Sequence, residues 1–165
     1  ATSELLTIHD MELIHNAINS IHARVKLEEL INPNLYIEIT PVNFDECLDM
    51  ILNHIKPYLI LPDNFKQLVI ERERIGATEY QNNIAIPHAI TTDNIPNFLV
   101  VAHLTQPILW KEKYISLVFL FSSSNSKTSS WFMERIGKAV QTPSIAKALT
   151  DARSYKSFMN TFLSI

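Results

Sequence analysis

The chain has 165 residues, 47% hydrophobic and 19% charged, with a formal net charge of −3. That length suits one substantial core rather than two domains, and the composition excludes a disordered tail. Lysines and arginines are scattered singly, which excludes the basic stripe of a nucleic-acid groove, and the only glycines, Gly76 and Gly137, leave no glycine-rich phosphate loop.

In chain order, the first predicted element is a helix over Asp10–Leu30, capped by Asp10, with Ile14, Ile18, Ile21 and Val25 on one face. Asn32-Pro33 is a turn signal, so residues 1–31 are expected to form a linker or docking helix and residues 32–165 the main domain. Leu35, Ile37 and Ile39 alternate with Tyr36 and Glu38 as a half-buried strand does. Asn43 then caps a helix with Glu46 at the capping-box position and Phe44, Cys47, Leu48, Ile51 and Ile55 on its apolar face. Asp63 is expected to cap the next helix, whose apolar face runs Phe65, Leu68, Val69 and then Arg72.

Three strand candidates follow at Asn83–Ile86, Phe98–Leu104 and Tyr114–Phe121. The last is nearly continuous in apolar content, as a strand covered on both faces would be. Ser122–Ser130 is polar and expected to be a mobile loop; Trp131–Gln141 and Tyr155–Leu163 look helical, with a shorter helical piece after Pro143. The class is α/β: a central sheet with helices on both faces. The lone Cys47 excludes an intramolecular disulfide and fits a reducing compartment. Apolar runs fall far below the ~20 residues that span a bilayer, and the N-terminal segment has no apolar signal core, so the expected location is cytoplasmic.

The chemistry concentrates around His88. A short apolar strand ends in Pro87, which fixes its own φ and holds its predecessor extended, so the imidazole is presented at a strand end. A neutral imidazole is nucleophilic near neutral pH and suits transient phosphorylation. Arg72 extends an apolar helix face, where a guanidinium needs an anionic or hydrogen-bonding partner, and a phosphate fits its fork. Thr78 offers a hydroxyl hydrogen bond. On the residues alone, other readings stay open: a solvated His88, Arg72 as an ion-pair partner of Glu73 or Glu79, and Thr78 as a turn residue. The residue pattern by itself defines a candidate anion-binding strand end.

Arg72-Glu73, Thr78 and Ala85-Ile86-Pro87-His88 resemble the R-E-x-x-x-x-T and A-I-P-H pattern of the type-2 EIIA family, the mannitol/fructose class of the sugar phosphotransferase system. Gln106-Pro107-Ile108-Leu109-Trp110 is similar to that family's K-P-I-x-W strand exit, and Leu117–Leu120 looks like its central strand. The resemblance implies a mixed sheet of roughly five strands, His88 as the phosphorylated nucleophile and Arg72 as its phosphate-stabilising neighbour. It implies HPr as phosphodonor and an EIIB domain or other domains of its own regulator as further partners; His9, His15 and His22 show no clustered ligand spacing, so no metal and no cofactor are expected. Family glycines before the A-I-P-H strand are replaced by Gln81 and Asn83, and asparagine tolerates left-handed geometry. A second histidine of transport-type members is absent from Ser126–Trp131, leaving Ser129, Ser130 or the more distant His103 as possible support. Ile90, Ile95 and Trp131 are candidates for an apolar rim around His88. The Asp10–Leu30 helix and the stretch 32–39 resemble segments of EIIA-like domains at the C-terminus of PRD-containing, antiterminator-type transcriptional regulators. That reading stands beside a transport-type component passing phosphate to EIIB, and a phosphorylation-inactive interaction module of the same fold.

Overall fold

The structure is a computed structural model that describes residues 7–165, apart from the side chains of residues 20 and 23–27. Its first helix, α1 (Ile8–Leu30), begins one turn earlier than its pattern suggests. Thr7 is the cap: its Oγ1 accepts from Asp10 N at 3.1 Å, and Asp10 Oδ2 accepts from Thr7 N at 3.1 Å. Leu30 and Ile31, at the end of this helix, are buried in the core. The predicted stripe is not docked, since Ile14, Ile18 and Ile21 are exposed; the side chain of Val25 lies outside the described residues.

β1 (Tyr36–Ile39) leads to α2 (Phe44–Ile55), where Asn43 Oδ1 accepts from Glu46 N at 2.9 Å. α3 (Phe65–Ile75) starts from Asn64 without a side-chain cap, so Asp63 does not play the expected role. The strands β2 (Ile84–Ala85), β3 (Phe98–Leu109) and β4 (Tyr114–Ser122) complete one sheet in the order β1-β3-β4-β2. β1 runs parallel to β3, β2 parallel to β4, and β3 antiparallel to β4.

The sheet has four strands rather than the five implied by the resemblance. Outside β2, where a fifth strand would lie, a single antiparallel bridge joins Glu79 to Ala85, flanked by bonds from Ile86 N to Thr78 O and from Tyr80 N to Ile84 O. The short turn at Gln81–Asn83 joins the two segments. Asn82 and Asn83 take φ of 59° and 66° there, the left-handed geometry that asparagine tolerates. β3 runs five residues past its expected end at Leu104, across a register shift between His103 and Ile108. Pro107, inside that interval, has no N–H to give the ladder.

Pleat alternation sorts the two faces. Val101 and His103 of β3 lie opposite Phe119 and Leu117 of β4 and face the C-terminal helices α4 (Ser126–Gln141), α5 (Pro143–Asp151) and α6 (Tyr155–Leu163). There Phe119 meets Phe132, Phe158 and Phe162 at centroid distances of 5.9–6.1 Å, and Phe121 stacks on Phe132 at 4.2 Å. On the other face Phe98 meets Phe65 of α3 at 6.0 Å. Each fully buried ring contributes about 1.5–3 kcal/mol over an exposed one, so this packing fixes the sheet rigidly between its helices.

α4 begins at Ser126, not Trp131. Asn125 Oδ1 accepts from Thr128 N at 3.1 Å, which turns most of the expected polar loop into the first turn of a helix.

Candidate functional site

His88 stands just past the carboxyl end of β2. Pro87 continues the strand direction alongside β4, its carbonyl accepting from Phe121 N at 3.2 Å. The carboxyl ends of the parallel pair β2 and β4 thus open at one edge of the molecule, where open α/β sheets tend to bind ligands. The half-buried His88 ring places Nδ1 2.9 Å from Ile86 O. A carbonyl can only accept, so Nδ1 carries the proton and the neutral ring has its lone pair on Nε2. The backbone therefore selects the tautomer that leaves Nε2 unprotonated.

Arg72 lies between two anchors of this segment. Leu68 O, one turn before it, accepts from Ile90 N at 3.1 Å, and Gly76 O, one turn after it, accepts from Arg72 Nη1 at 2.7 Å. Arg72 closes the end of α3 and pairs with neither Glu73 nor Glu79 in any ion pair among the described residues. Glu79 instead accepts backbone N–H groups from Lys111, Glu112 and Lys113 at 2.9–3.1 Å.

Thr78 is fully buried, and its hydroxyl and backbone N–H both donate to the carboxylate of Glu73. The same carboxylate accepts from Trp110 Nε1 at 3.3 Å. Glu73 is therefore the hub that ties α3, the start of the bridge segment and the exit of β3. Sequence reading passed over it as an ion-pair candidate, although Glu73, Thr78 and Trp110 all fall inside the quoted motifs. The Thr78 hydroxyl is thus committed to Glu73. Thr78→Val is expected to lower stability by about 1–3 kcal/mol, because Glu73 loses a buried donor, while the chemistry at His88 persists. Urea denaturation alongside a phosphoryl-uptake assay checks both halves, and loss of uptake in a folded variant overturns the assignment.

The start of α4 lies at the same edge. Ser124 N donates to Asn97 Oδ1 at 2.9 Å, tying the β4–α4 turn to the entry of β3. Ser129 Oγ donates to Ser123 O at 3.4 Å, and Ser130 is exposed; neither bonds His88. Of the expected rim, Ile90 is exposed and Ile95 is buried in the core. Trp131 is half-buried, packed at 6.2 Å on Phe162 and 4.7 Å from the Arg135 guanidinium.

His103 does not support His88. β4 stands between its strand and β2, and its partner Leu117 also faces Ile84, at the opposite end of β2 from His88. The ring lies under α6, 5.1 Å from Tyr36 and 6.2 Å from Phe158. Burial is the main force holding its pKa below the ordinary 6.5; Glu38 opposes this, Arg153 adds to it and the Thr150 backbone opposes it. A depressed folded value means the unfolded chain takes up the proton first. The stability contributed by neutral His103 is therefore present above pH ~6.5 and lost as pH falls toward the folded value. His103→Leu is expected to flatten the fall in Tm between about pH 7.5 and 5.5 relative to wild type. An unchanged slope in scanning calorimetry overturns this.

Comparison with known proteins adds to this geometry. Residues 28–165 match the family described as phosphoenolpyruvate-dependent sugar phosphotransferase system, EIIA 2. A "Probable licABCH operon regulator" of Bacillus subtilis (strain 168) is 26% identical over 96 residues, a match that takes in 57% of this chain and only 15% of the regulator. Among solved structures, enzyme IIAMTL of Escherichia coli, in complex with phosphorylated enzyme IIBMTL, superposes with a TM-score of 0.67 at 14% identity, covering 82% of this chain and 98% of that one. The nitrogen regulatory protein IIA-Ntr of Neisseria meningitidis superposes with a TM-score of 0.66 at 15% identity, covering 84% and 99%. At such identities the structures establish the shared fold. No helix among the described residues is long and apolar enough to cross a membrane.

Proposed function

This chain belongs to the EIIA 2 family of the phosphoenolpyruvate-dependent sugar phosphotransferase system, and we propose that it accepts a phosphoryl group on His88 Nε2 from phospho-HPr in the cytoplasm. The observation that carries this reading is the Nδ1 to Ile86 O bond, which leaves the Nε2 lone pair for attack. In the transfer, Nε2 forms a bond to phosphorus while the bond from phosphorus to the donor breaks, its electron pair returning to the donor. The proton stays on Nδ1, donated in a hydrogen bond to Ile86 O, which stabilises the positive charge developing on the ring.

Arg72 supplies charge neutralisation. One guanidinium N–H is held by Gly76 O, and of the five donors the others are available to the phosphoryl oxygens. The first turn of α4 adds the positive end of a helix dipole at the same edge. Ile90 belongs to the apolar rim that would exclude water from a docked donor.

Within the family, we assign the chain to the regulatory branch: a domain of a sugar-operon transcriptional regulator in which the phosphohistidine reports sugar flux. The similarity to the licABCH operon regulator supports this, as does the lack of a histidine in the first turn of α4. The alternative is a transport component that passes phosphate onward; the enzyme IIBMTL partner of the E. coli relative is the precedent. Incubation with enzyme I, HPr and phosphoenolpyruvate, followed by intact-mass analysis, tests the shared claim. One acid-labile phosphoryl group per chain is expected, and none on a folded chain leaves a phosphorylation-inactive interaction module. Rapid passage of that phosphate to an EIIB domain would overturn the regulatory assignment in favour of transport.

A further inference from the structure

Two side chains clasp the turn that follows α3. Arg72 Nη1 donates to Gly76 O at 2.7 Å, and the neighbouring Glu73 accepts from the Thr78 backbone N–H at 3.0 Å and from the Thr78 hydroxyl. Gly76 has no side chain to pack, and a Cβ at its position would meet nothing within 4 Å, so its carbonyl is placed by the chain on either side. On one side that chain is α3 itself. On the other it is the buried Thr78, whose carbonyl accepts from Ile86 N at 2.9 Å. Ile86 O in turn accepts from His88 Nδ1. Glu73 is therefore the side chain that fixes the end of α3, with Arg72 on it, to the strand segment that carries His88.

The two carboxylate oxygens are used differently. Oε2 accepts two N–H groups, from Thr78 N at 3.0 Å and from Trp110 Nε1 at 3.3 Å, whereas Oε1 accepts the Thr78 hydroxyl. Trp110 is itself held in place, buried and packed edge-on against Phe44 at 4.7 Å. An N–H only donates, so Oε2 has to be an acceptor. A hydroxyl both donates and accepts, so the group at Oε1 need not be one. No ion pair among the described residues involves Glu73, and what it contributes here is hydrogen bonding rather than charge.

We propose that Glu73 is a positioning residue for Arg72: by clasping Thr78 it holds Gly76 O where that carbonyl orients the guanidinium toward the phosphoryl group. The proposal rests on the assignment of Arg72 to charge neutralisation at His88 and names what keeps it in place. A donor that is no longer preorganised loses much of its effect, and a displacement of about 1 Å can cost about 100-fold in rate.

Rates of phosphoryl loading from phospho-HPr test this in Glu73→Ala, Glu73→Gln and Arg72→Ala/Glu73→Ala, with heteronuclear NMR of the Arg72 guanidinium as a readout that needs no phosphate. Glu73→Ala is expected to load about 10- to 100-fold more slowly and to lose the slowly exchanging Arg72 N–H that Gly76 O holds. Glu73→Gln is expected to load close to the wild-type rate and to keep that N–H. Its amide oxygen replaces Oε2 as acceptor, and its amide N–H donates to a Thr78 hydroxyl that turns to accept. On an Arg72→Ala background Glu73→Ala should slow loading no further, because residues that act through one another are not additive. Near-ultraviolet circular dichroism shows which variants are folded. Trp110→Phe, which keeps the ring but takes one N–H from Oε2, repeats the test with less to lose in folding. Wild-type loading in a folded Glu73→Ala, or equal slowing with and without Arg72, overturns the proposal. So does a folded Glu73→Gln as slow as Glu73→Ala. If the wild-type chain itself takes up no phosphoryl group, the His88 reading falls, and the Arg72 N–H still decides whether Glu73 holds the guanidinium.

Discussion

Replacing His88 with alanine is expected to leave a folded domain that takes up no phosphoryl group. The ring is half-buried, and its hydrogen bond to Ile86 O closes back on its own strand. Its removal should therefore cost no more than about 1 kcal/mol of stability. The chemical consequence is total, because His88 is the imidazole at the carboxyl end of β2, and His103 is buried two strands away. Intact mass after incubation with enzyme I, HPr and phosphoenolpyruvate reads the outcome, and a phosphoryl group retained on the variant would refute the assignment. The wild-type adduct gives a sharper reading. Heteronuclear NMR should place phosphorus on Nε2 with Nδ1 still protonated, and an Nδ1 adduct would contradict the tautomer that the Ile86 carbonyl selects.

Arg72→Ala is expected to slow phosphoryl loading by about two to three orders of magnitude, the range found when one preorganised donor to a developing anion is removed. The same change frees Gly76 O at the end of α3 and should cost about 1 kcal/mol of stability. These two effects separate the possible roles. Arg72→Lys restores the charge but not the planar fork that reaches a carbonyl and a phosphoryl oxygen together, so its loading rate should fall between wild type and Arg72→Ala. If Arg72→Ala loads at the wild-type rate and loses stability alone, the guanidinium only terminates its helix.

Much of this was legible in the sequence because it depends on local geometry. The period of two in 35–39 and the capping pattern Asn43–Glu46 each produced the expected element, since alternation and caps act over a few residues. The motif around Pro87-His88 located the strand end, and Asn83 took the left-handed turn expected of it. Element ends were less legible. Asp10 and Asp63 were plausible caps, but Thr7 starts α1 and Asn64 precedes α3. The polar run after Ser122 concealed a helix start, because serine and threonine are common both in loops and in first turns.

By itself the sequence determined the α/β class, the family, the strand end bearing His88 and the absence of a histidine in the first turn of α4, all of which rest on residue identity and short spacings. Only the tertiary structure decided the rest. Strand order is a long-range pairing choice, and it put β4 between His103 and His88 and reduced the fifth strand to one bridge. Hydrogen bonds between residues close in sequence but turned by the chain gave Thr78 to Glu73 and Arg72 to Gly76. Which face of α1 meets the body was likewise settled by packing, because an apolar stripe records that a face seeks cover without recording what covers it.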